Sequence, residues 1–330
     1  MTTRRAFTLE TRHGVRLSLR RVSAKEGRPK ARPVLVVPGY GMNSFVIGFH
    51  PTGRSLEEAL AARGLEVWTV DMRGQGESSR GPKEHVSLGD LAIDDLGPAI
   101  DHVLEETQVE GARTVDLVGC SLGATLAFTH VALVERPKVS AIVSMGGLVT
   151  WRKVHPLVEV AFASPWLAGQ VKLAGTRAMA RLALPALARL APGLLSIYIN
   201  PKSTDISKAS ELVKTVEDPV ASLNREIAEW VGRRELVVRG VNVSRAMSRL
   251  TLPVMCVLGR QDGVVPAETS RAIYEDVGSE RRTLLEVGTP EWPIGHADLF
   301  VAEHAEDRIF AKVAEFLLEE AGREEPSLTP

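Results

Sequence analysis

Ser121 has the clearest chemical potential of any residue in this chain, because it lies between two glycines in Gly119-Cys-Ser-Leu-Gly123. The pattern Gly-x-Ser-x-Gly is typical of a nucleophile elbow, a sharp turn between a strand and a helix. Such a turn strains the serine backbone, and side chains two residues to either side would collide, so glycine is needed at both places. The hydroxyl then stands clear of the sheet, at the positive end of the next helix. The motif therefore predicts a nucleophile.

The flanking sequence decides between a nucleophile and an ordinary glycine turn, since a motif this short also occurs by chance. Residues 114–118 form a short, largely apolar run with β-branched side chains, which is typical of a strand. Residues 124–135 are apolar on almost every side, which is typical of a buried helix. The sequence thus predicts the strand–turn–helix context that the motif requires, and this favours the catalytic interpretation.

A serine hydroxyl needs a general base, usually histidine. We favour His296, because its loop (Pro293-Ile-Gly-His-Ala-Asp298) follows the last predicted strand and leaves the sheet edge at which Ser121 is expected. His50 and His155, each beside a proline, remain possible pocket walls. The remaining histidines fall in predicted helices or polar turns, where structural roles are the simpler interpretation: His13, His85, His102, His130 and His304.

The base needs an orienting carboxylate, and Asp262 is the residue we expect to supply it. Asp262 lies in a glycine-flanked turn after a predicted buried strand. A turn aspartate that bonds to its own backbone is the alternative interpretation. However, the chain order Ser121, Asp262, His296 is the one expected for this topology, and the loop after Ser144 contains no carboxylate. Asp298 is expected to cap the last helix instead.

Backbone N–H groups are expected to stabilise the oxyanion that forms during acyl transfer. One is the N–H of Leu122, directly after the nucleophile. The second comes from the loop after the strand at 34–37, where we expect the N–H of Tyr40 to serve, with that of Gly41 as the alternative. Gly39 and Gly41 keep this loop free of side chains, so we expect the substrate to contact the backbone there.

The composition of the 330-residue chain excludes several other classes of protein. Charged residues make up 25% and the net charge is −1, so no nucleic-acid partner is expected. Cys120 and Cys256 are expected to be buried thiols, and we predict no metal or cofactor. No apolar run is long enough to cross a bilayer. Arg4-Arg5 precedes no apolar segment, which argues against export and favours a cytoplasmic location. The oligomeric state stays open.

Strands and helices alternate through most of the sequence, which predicts an α/β fold with a doubly wound, mostly parallel, eight-stranded sheet. The loops that begin at Pro38, Asp71 and Gly119 should then converge at one edge of this sheet. The predicted strands are a hairpin at 5–22 and runs at 34–37, 65–71, 114–118, 140–144, 254–258 and 282–287. The predicted helices are 55–63, 88–106, 124–135, 268–275 and 299–320.

Between the sixth and seventh predicted strands, the pattern shows no clear strand and helices dominate. These helices are expected at 157–163, 176–190, 207–216 and 223–232. We interpret residues 148–249 as a helical insertion and not as a second autonomous domain. The core then comprises residues 1–147 and 250–322, and residues 323–330 are expected to form a disordered tail.

Together these motifs resemble the α/β-hydrolase superfamily over nearly the whole chain. Asp71-Met-Arg-Gly-Gln-Gly-Glu-Ser78 is similar to that family's Asp-x-Arg-Gly-x-Gly-x-Ser stretch, which is expected to shape a loop beside the site. In this family an insertion after the sixth strand is a cap over the active site, so the resemblance implies that role for residues 148–249.

Two subgroups of the superfamily are the most similar. Pro38-Gly39 and Gly53-Arg-Ser55 resemble polyhydroxyalkanoate synthases, and Gly295-His-Ala-Asp-Leu-Phe300 resembles both those enzymes and the acid lipases. The synthases have cysteine as nucleophile, whereas this chain has Ser121 at that position and Cys120 before it. The difference favours an ester hydrolase over a polymerase.

The expected function is therefore that of a carboxylesterase- or lipase-like serine hydrolase that forms an acyl-enzyme on Ser121. The insertion is rich in Leu, Ala and Val and contains Trp151 and Trp166, so we expect a small-molecule ester with an apolar acyl group. Two alternatives remain: an acyltransferase that uses the same residues, and a non-catalytic receptor with this fold. The sequence does not fix the natural substrate or its chain length.

Overall fold

An eight-stranded sheet lies at the centre of the computed structural model, which describes residues 2–29, 31–83, 85–170, 175–190, 192–218 and 220–323. Residues 324–330 of the expected tail lie outside the described residues. The strands are β1 (Thr2–Glu10), β2 (Arg16–Ala24), β3 (Val34–Val37), β4 (Val67–Asp71), β5 (Val115–Cys120), β6 (Val139–Met145), β7 (Val254–Gly259) and β8 (Arg282–Val287).

The strand order is β1-β2-β4-β3-β5-β6-β7-β8. The first two strands form an antiparallel hairpin, and β2 pairs antiparallel with β4. All the other neighbours in this sheet pair in parallel, so the predicted doubly wound, mostly parallel fold is confirmed. Parallel pairing places the carboxyl ends of β3, β5, β6 and β7 at one edge, where the loops after these strands meet.

Helices cover both faces of the sheet, which explains why the inner strands are buried along their whole length. One face packs under α2 (Leu96–Glu106), α3 (Leu122–Leu133) and α10 (Ala267–Asp276). The other face packs under α1 (Leu56–Ala62) and α12 (Ala311–Gly322). The continuous apolar runs in the sequence are therefore the middle layer of a three-layer core.

The insertion between β6 and β7 is mainly helical, as predicted. It contains α4 (Pro156–Ala161), α5 (Pro165–Gln170), α6 (Thr176–Leu190), α7 (Ala209–Leu212), α8 (Ala221–Arg233) and α9 (Val243–Ala246). The expected absence of strands is wrong, because Val237–Val238 and Val241–Asn242 pair as an antiparallel hairpin. Strands of two residues are too short for alternation to reveal. Within the described residues, no helix has the length and apolar character needed to span a bilayer.

The last predicted helix is interrupted, so the expectation of one continuous helix at 299–320 is wrong. A short α11 (Asp298–Val301) ends before a break, and a π-helical turn (Glu306–Phe310) leads into α12. His304 adopts a left-handed φ of 67° in the break, where it is exposed and does not lie on a helix face. The freed carbonyls of Ala302 and Glu303 accept hydrogen bonds from the rings of His50 (3.0 Å) and Trp292 (2.9 Å).

Candidate active site

Ser121 lies in the turn between β5 and α3 with φ 54° and ψ −120°, the strained backbone that the motif predicts. The flanking positions must be glycine because neighbouring backbone atoms leave no room for a Cβ. A Cβ on Gly119 would lie 2.2 Å from the Cα of Ala124, and one on Gly123 would lie 2.1 Å from the carbonyl oxygen of Val37. The turn therefore folds against both its own helix and the end of β3.

His296 and Asp262 are brought together at the carboxyl edge of the sheet, both more than 90% buried. The Nδ1 atom of His296 lies 2.6 Å from Oδ2 of Asp262. An ionised carboxylate only accepts hydrogen bonds, so Nδ1 carries the proton and Nε2 is left as the basic nitrogen. The other oxygen of Asp262 accepts the backbone N–H groups of Val264 and Val265, both at 2.8 Å.

The carboxylate of Asp262 therefore combines two roles that the sequence offered as alternatives. It bonds to its own turn through Oδ1 and to the histidine through Oδ2. These backbone bonds fix the rotamer of Asp262, which in turn fixes the imidazole of His296.

The end of β6 separates the serine turn from the histidine. The N–H of Ser121 donates to the carbonyl of Met145 at 2.9 Å. The next residue, Gly146, faces the imidazole so closely that a Cβ there would lie 3.3 Å from Nδ1 and Cε1 of His296. Ser121 and His296 therefore lie on either side of Met145 and Gly146.

The loop after β3 passes directly against the serine turn. A Cβ on Gly39 would lie 3.0 Å from the Cβ of Ser121 and 2.9 Å from the carbonyl oxygen of Cys120, so only glycine fits. Tyr40 follows at once. Leu122 is the first residue of α3, and the first N–H groups of a helix have no partner within it. The N–H groups expected to bind the oxyanion therefore belong to two segments that touch beside Ser121.

The insertion holds this loop in place through backbone pairing. The carbonyl of Gly41, which has φ 62°, accepts the N–H of Glu217 at 2.8 Å, and the N–H of Asn43 donates to the carbonyl of Thr215 at 2.9 Å. The carboxylate of Glu217 also accepts the side-chain amide of Asn43 at 2.6 Å and the N–H of Gly76 at 2.9 Å. No local sequence signal indicates these contacts, because they join residues that are far apart in the chain.

Asp71 connects the same loop to the stretch that follows β4. Its Oδ1 accepts the N–H of Ser44 at 2.7 Å, and its Oδ2 accepts the N–H of Glu77 at 3.4 Å. Its position agrees with the expected role of this stretch in shaping a loop beside the site.

A narrow cavity adjoins the backbone of residues 38–41 and has a volume of about 20 Å³. Such a volume has room for about one water molecule. The hydroxyl of Tyr40 donates to Oδ1 of Asn224 on α8 at one side of this cavity. Burial of Tyr40 raises the pKa of its phenol. The other lining side chains are mainly apolar: Met72, Leu91, Leu122, Leu126, Val220 and Leu223, with the polar or charged Arg73, Gln75 and Asp218.

Trp151 and Trp166, expected near the acyl group, do not line this cavity. Trp151 packs against Trp230 with ring centroids 5.7 Å apart, whereas Trp166 is 65% exposed. The apolar lining comes instead from the start of α8 and from the core beneath it.

Asp298 and Tyr198 are neighbours of His296 whose positions sequence analysis missed. Asp298 does not cap α11 through its side chain as predicted. Its carboxylate accepts the N–H of Gly295 at 2.7 Å and contacts the insertion. Burial raises the pKa of Asp298 to about 6. The ring of Tyr198 lies 5.9 Å from the imidazole, centroid to centroid. No local sequence signal connects these residues, because their partners lie about 100 positions apart.

The remaining candidates have structural environments. Complete burial raises the pKa of the Cys120 thiol, which keeps it protonated next to Ser121. Cys256 is also a buried free thiol. The buried His130 bonds to two backbone carbonyls, and the Nδ1 of His155 accepts the N–H of Leu157 at the start of α4.

Residues 34–287 match the serine aminopeptidase S33 family. The chain belongs to this family. The matched range includes Ser121 and Asp262, and His296 follows it. This S33 protein has the α/β-hydrolase fold, which is shared with a thermophilic esterase from Thermogutta terrifontis at a TM-score of 0.60 and 18% identity, over 96% of this chain and 99% of the esterase.

Two curated relatives show the range of chemistry among proteins similar to this S33 member. A pimeloyl-[acyl-carrier protein] methyl ester esterase from Aliivibrio fischeri is 22% identical over 82% of this chain and 91% of the esterase. A poly(3-hydroxyalkanoate) polymerase subunit from Haloferax mediterranei is 21% identical over 89% of this chain and 60% of the subunit. The likeness to polyhydroxyalkanoate synthases is therefore confirmed, alongside likeness to an esterase.

Proposed function

We propose that this protein is a serine hydrolase that cleaves carboxylic esters through an acyl-enzyme on Ser121. The proposal depends on the 2.6 Å hydrogen bond between Asp262 and His296, at the sheet edge where the strained Ser121 turn lies. A buried, oriented imidazole with its Nε2 unprotonated is the base that a serine nucleophile needs. The strained turn supports the same role, because such strain is retained where a side chain must be presented to a reaction.

In the proposed acylation step, Ser121 Oγ attacks the ester carbonyl carbon while Nε2 of His296 accepts the hydroxyl proton. The carbonyl oxygen becomes an oxyanion, which the N–H groups of Leu122 and Tyr40 stabilise, with Gly41 as the alternative second donor. Asp262 stabilises the imidazolium that forms. The carbon–oxygen bond to the alcohol then breaks, and the imidazolium protonates the leaving alkoxide.

In the proposed deacylation step, water replaces the alcohol. His296 takes a proton from the water, which attacks the acyl carbon, and Ser121 leaves with the proton returned. The product is a carboxylic acid and the free enzyme. This chain's own side chains and backbone N–H groups supply every proton transfer and charge stabilisation in this cycle.

We further propose that residues 148–249 form a cap and that the acyl group is apolar. The cavity beside residues 38–41 supports this view, since its lining includes the apolar side chains of Met72, Leu91, Leu122, Leu126, Val220 and Leu223. A cavity of about 20 Å³ holds about one water molecule, so an acyl chain can bind there only if the lining moves apart. The similarity to the Aliivibrio fischeri methyl ester esterase supports an ester substrate.

The test is hydrolysis of a p-nitrophenyl ester series by the wild-type protein and by Ser121→Ala, with Cys120→Ala as the matched control. We expect Ser121→Ala to lose about 10⁶-fold in kcat, because residues of a working triad act as a unit. Cys120→Ala should keep its turnover, since that thiol is buried. Full activity in Ser121→Ala would refute the proposal, as would a wild-type protein that binds esters without cleaving them.

A competing alcohol separates hydrolysis from acyl transfer, the alternative that the polymerase relative favours. With butanol present, a hydrolase releases mainly butyrate from p-nitrophenyl butyrate. A dominant butyl ester product would instead assign the acyltransferase reaction to the same residues.

A further inference from the structure

Residues 197–204 of the insertion, named the strap here, cross both loops that hold the proposed acid and base. The carbonyl of Ile197 accepts the N–H of Gly263, next to Asp262, at 3.0 Å. The carbonyl of Tyr198 accepts the N–H of Ala297, next to His296, at 2.7 Å. The strap therefore forms a hydrogen bond with the residue directly after Asp262 and with the residue directly after His296.

The approach of the strap to the acid turn is too close for any residue but glycine. A Cβ on Gly263 would lie 2.6 Å from Cγ2 of Ile197 and 3.0 Å from its Cα. The contact is therefore a backbone packing contact as well as a hydrogen bond, which limits how far the turn and the strap can move independently.

Asp298 joins the strap to the histidine loop from the other side. Its side chain is fully buried, and each carboxylate oxygen accepts two hydrogen bonds. The N–H of Asn200 is shared between Oδ1 (3.0 Å) and Oδ2 (2.9 Å). The hydroxyl of Thr204 donates to Oδ1 at 2.6 Å, and the N–H of Gly295 donates to Oδ2 at 2.7 Å.

These bonds fix the peptide groups on both sides of His296. Gly295 is held by the Asp298 carboxylate, and Ala297 is held by the strap carbonyl. Loss of the Asp298 carboxylate removes the bond that holds Gly295. It also removes the bonds that hold the strap at Asn200 and Thr204, so it loosens the peptide groups on both sides of the base. Catalysis tolerates little movement of the base, since a misplacement of about 1 Å can lower turnover by about 10²-fold.

We propose that Asp298 is a positioning residue, which fixes His296 against Asp262 by tying the strap of the insertion to the histidine loop. This inference rests on the proposed function, because it assigns His296 as the base. Asp298 itself acts only through the strap and through Gly295.

A purely structural role for Asp298 would lower the fraction of folded enzyme and leave each folded molecule fully active. Glu66 offers a matched control for that role, because it is also a fully buried carboxylate with three hydrogen-bond donors. Glu66 directly precedes β4, so it lies at the opposite edge of the sheet from the site. Glu66→Gln therefore measures the effect of disturbing a buried carboxylate away from the strap.

The experiment compares kcat for p-nitrophenyl butyrate per active site, with sites counted by end-point labelling with a fluorophosphonate. Asp298→Asn places an amide N–H₂ against two donors, so we expect kcat per site to fall about 10²-fold. Thr204→Val removes one donor and should lower kcat by about tenfold, whereas Thr204→Ser keeps the hydroxyl and should stay within about twofold. Glu66→Gln should also stay within about twofold per site.

A second readout does not depend on turnover. The proton between His296 and Asp262 should give a far-downfield ¹H resonance in the wild-type protein and in Glu66→Gln, and the resonance should broaden or vanish in Asp298→Asn. Asp298→Asn with wild-type kcat per site and an unchanged resonance would overturn the proposal. So would equal losses in Thr204→Val and Thr204→Ser. A wild-type protein that neither hydrolyses esters nor reacts with the probe would overturn the proposed function first, and the resonance would still report on the positioning.

Discussion

Gly123→Ala tests whether the contact between the serine turn and the loop after β3 sets the oxyanion geometry. The added Cβ would lie 2.1 Å from the carbonyl oxygen of Val37 and 2.7 Å from that of Pro38. Real Cβ atoms do not approach other atoms more closely than 3.0 Å, and both obstacles are backbone. The helix that begins at Leu122 must therefore move away from the loop that contains Tyr40 by about 1 Å.

This displacement separates the two N–H groups proposed to bind the oxyanion. Loss of one such donor lowers kcat by about 10²- to 10³-fold, so we expect a fall of that size in Gly123→Ala. Overpacking in a closely packed core also costs about 1–3 kcal/mol of stability. The assay is kcat/KM for p-nitrophenyl butyrate per fluorophosphonate-labelled site, together with the free energy of unfolding in urea.

Gly232→Ala is the matched control, because Gly232 lies within α8 with no atom within 4 Å of its would-be Cβ. Alanine favours a helix over glycine by about 1 kcal/mol, so this variant should be at least as stable as the wild type and fully active. If Gly123→Ala keeps kcat/KM within about threefold of the wild type, the geometric argument for the oxyanion site is refuted.

Asp262, Tyr40 and Asp116 each have contacts whose loss should be measurable. Asp262→Asn should lower kcat by about 10⁴-fold because it no longer selects the Nδ1-protonated tautomer of His296, and a loss below tenfold in steady-state assays would contradict that role. Tyr40→Phe leaves the buried Oδ1 of Asn224 without its donor, so the free energy of unfolding in urea should fall by about 1–3 kcal/mol. An unchanged unfolding midpoint would show that this hydrogen bond does not stabilise the contact between the loop and the insertion. Burial raises the pKa of Asp116 to about 6, although the neighbouring Arg32 acts in the opposite direction. The stabilising contribution of this carboxyl is therefore present below about pH 4 and is lost as the pH rises through 6. Asp116→Asn should therefore flatten the stability–pH curve between pH 4 and 7 by on the order of 2–3 kcal/mol, and identical curves would show that this carboxyl is not shifted.

The core of the fold was predictable because its strands are buried on both faces. The runs at 34–37 and 282–287 match β3 and β8 at both ends, and Ser55 caps α1 as its sequence predicts. Burial, alternation and capping are local properties, so the sequence displays them directly. The chain order of Ser121, Asp262 and His296 was informative for the same reason, since each follows a strand that the sequence reveals.

The segment after His296 was less predictable because its structure depends on distant partners. At the break after α11, the carbonyls of Ala302 and Glu303 accept hydrogen bonds from His50 and Trp292, which no helical periodicity indicates. Asp298 has the sequence position of a helix cap, yet its carboxylate bonds to Asn200 and other residues nearly 100 positions earlier.

The central claim is that an acyl-enzyme forms on Ser121, and rapid-quench mass spectrometry during p-nitrophenyl butyrate turnover tests it most directly. The proposed mechanism predicts a butyryl adduct on the peptide that contains Ser121, which accumulates when deacylation is slowed and disappears in Ser121→Ala. The adduct should persist in Cys120→Ala. Turnover without any adduct on this peptide, or an adduct that survives in Ser121→Ala, would contradict the account.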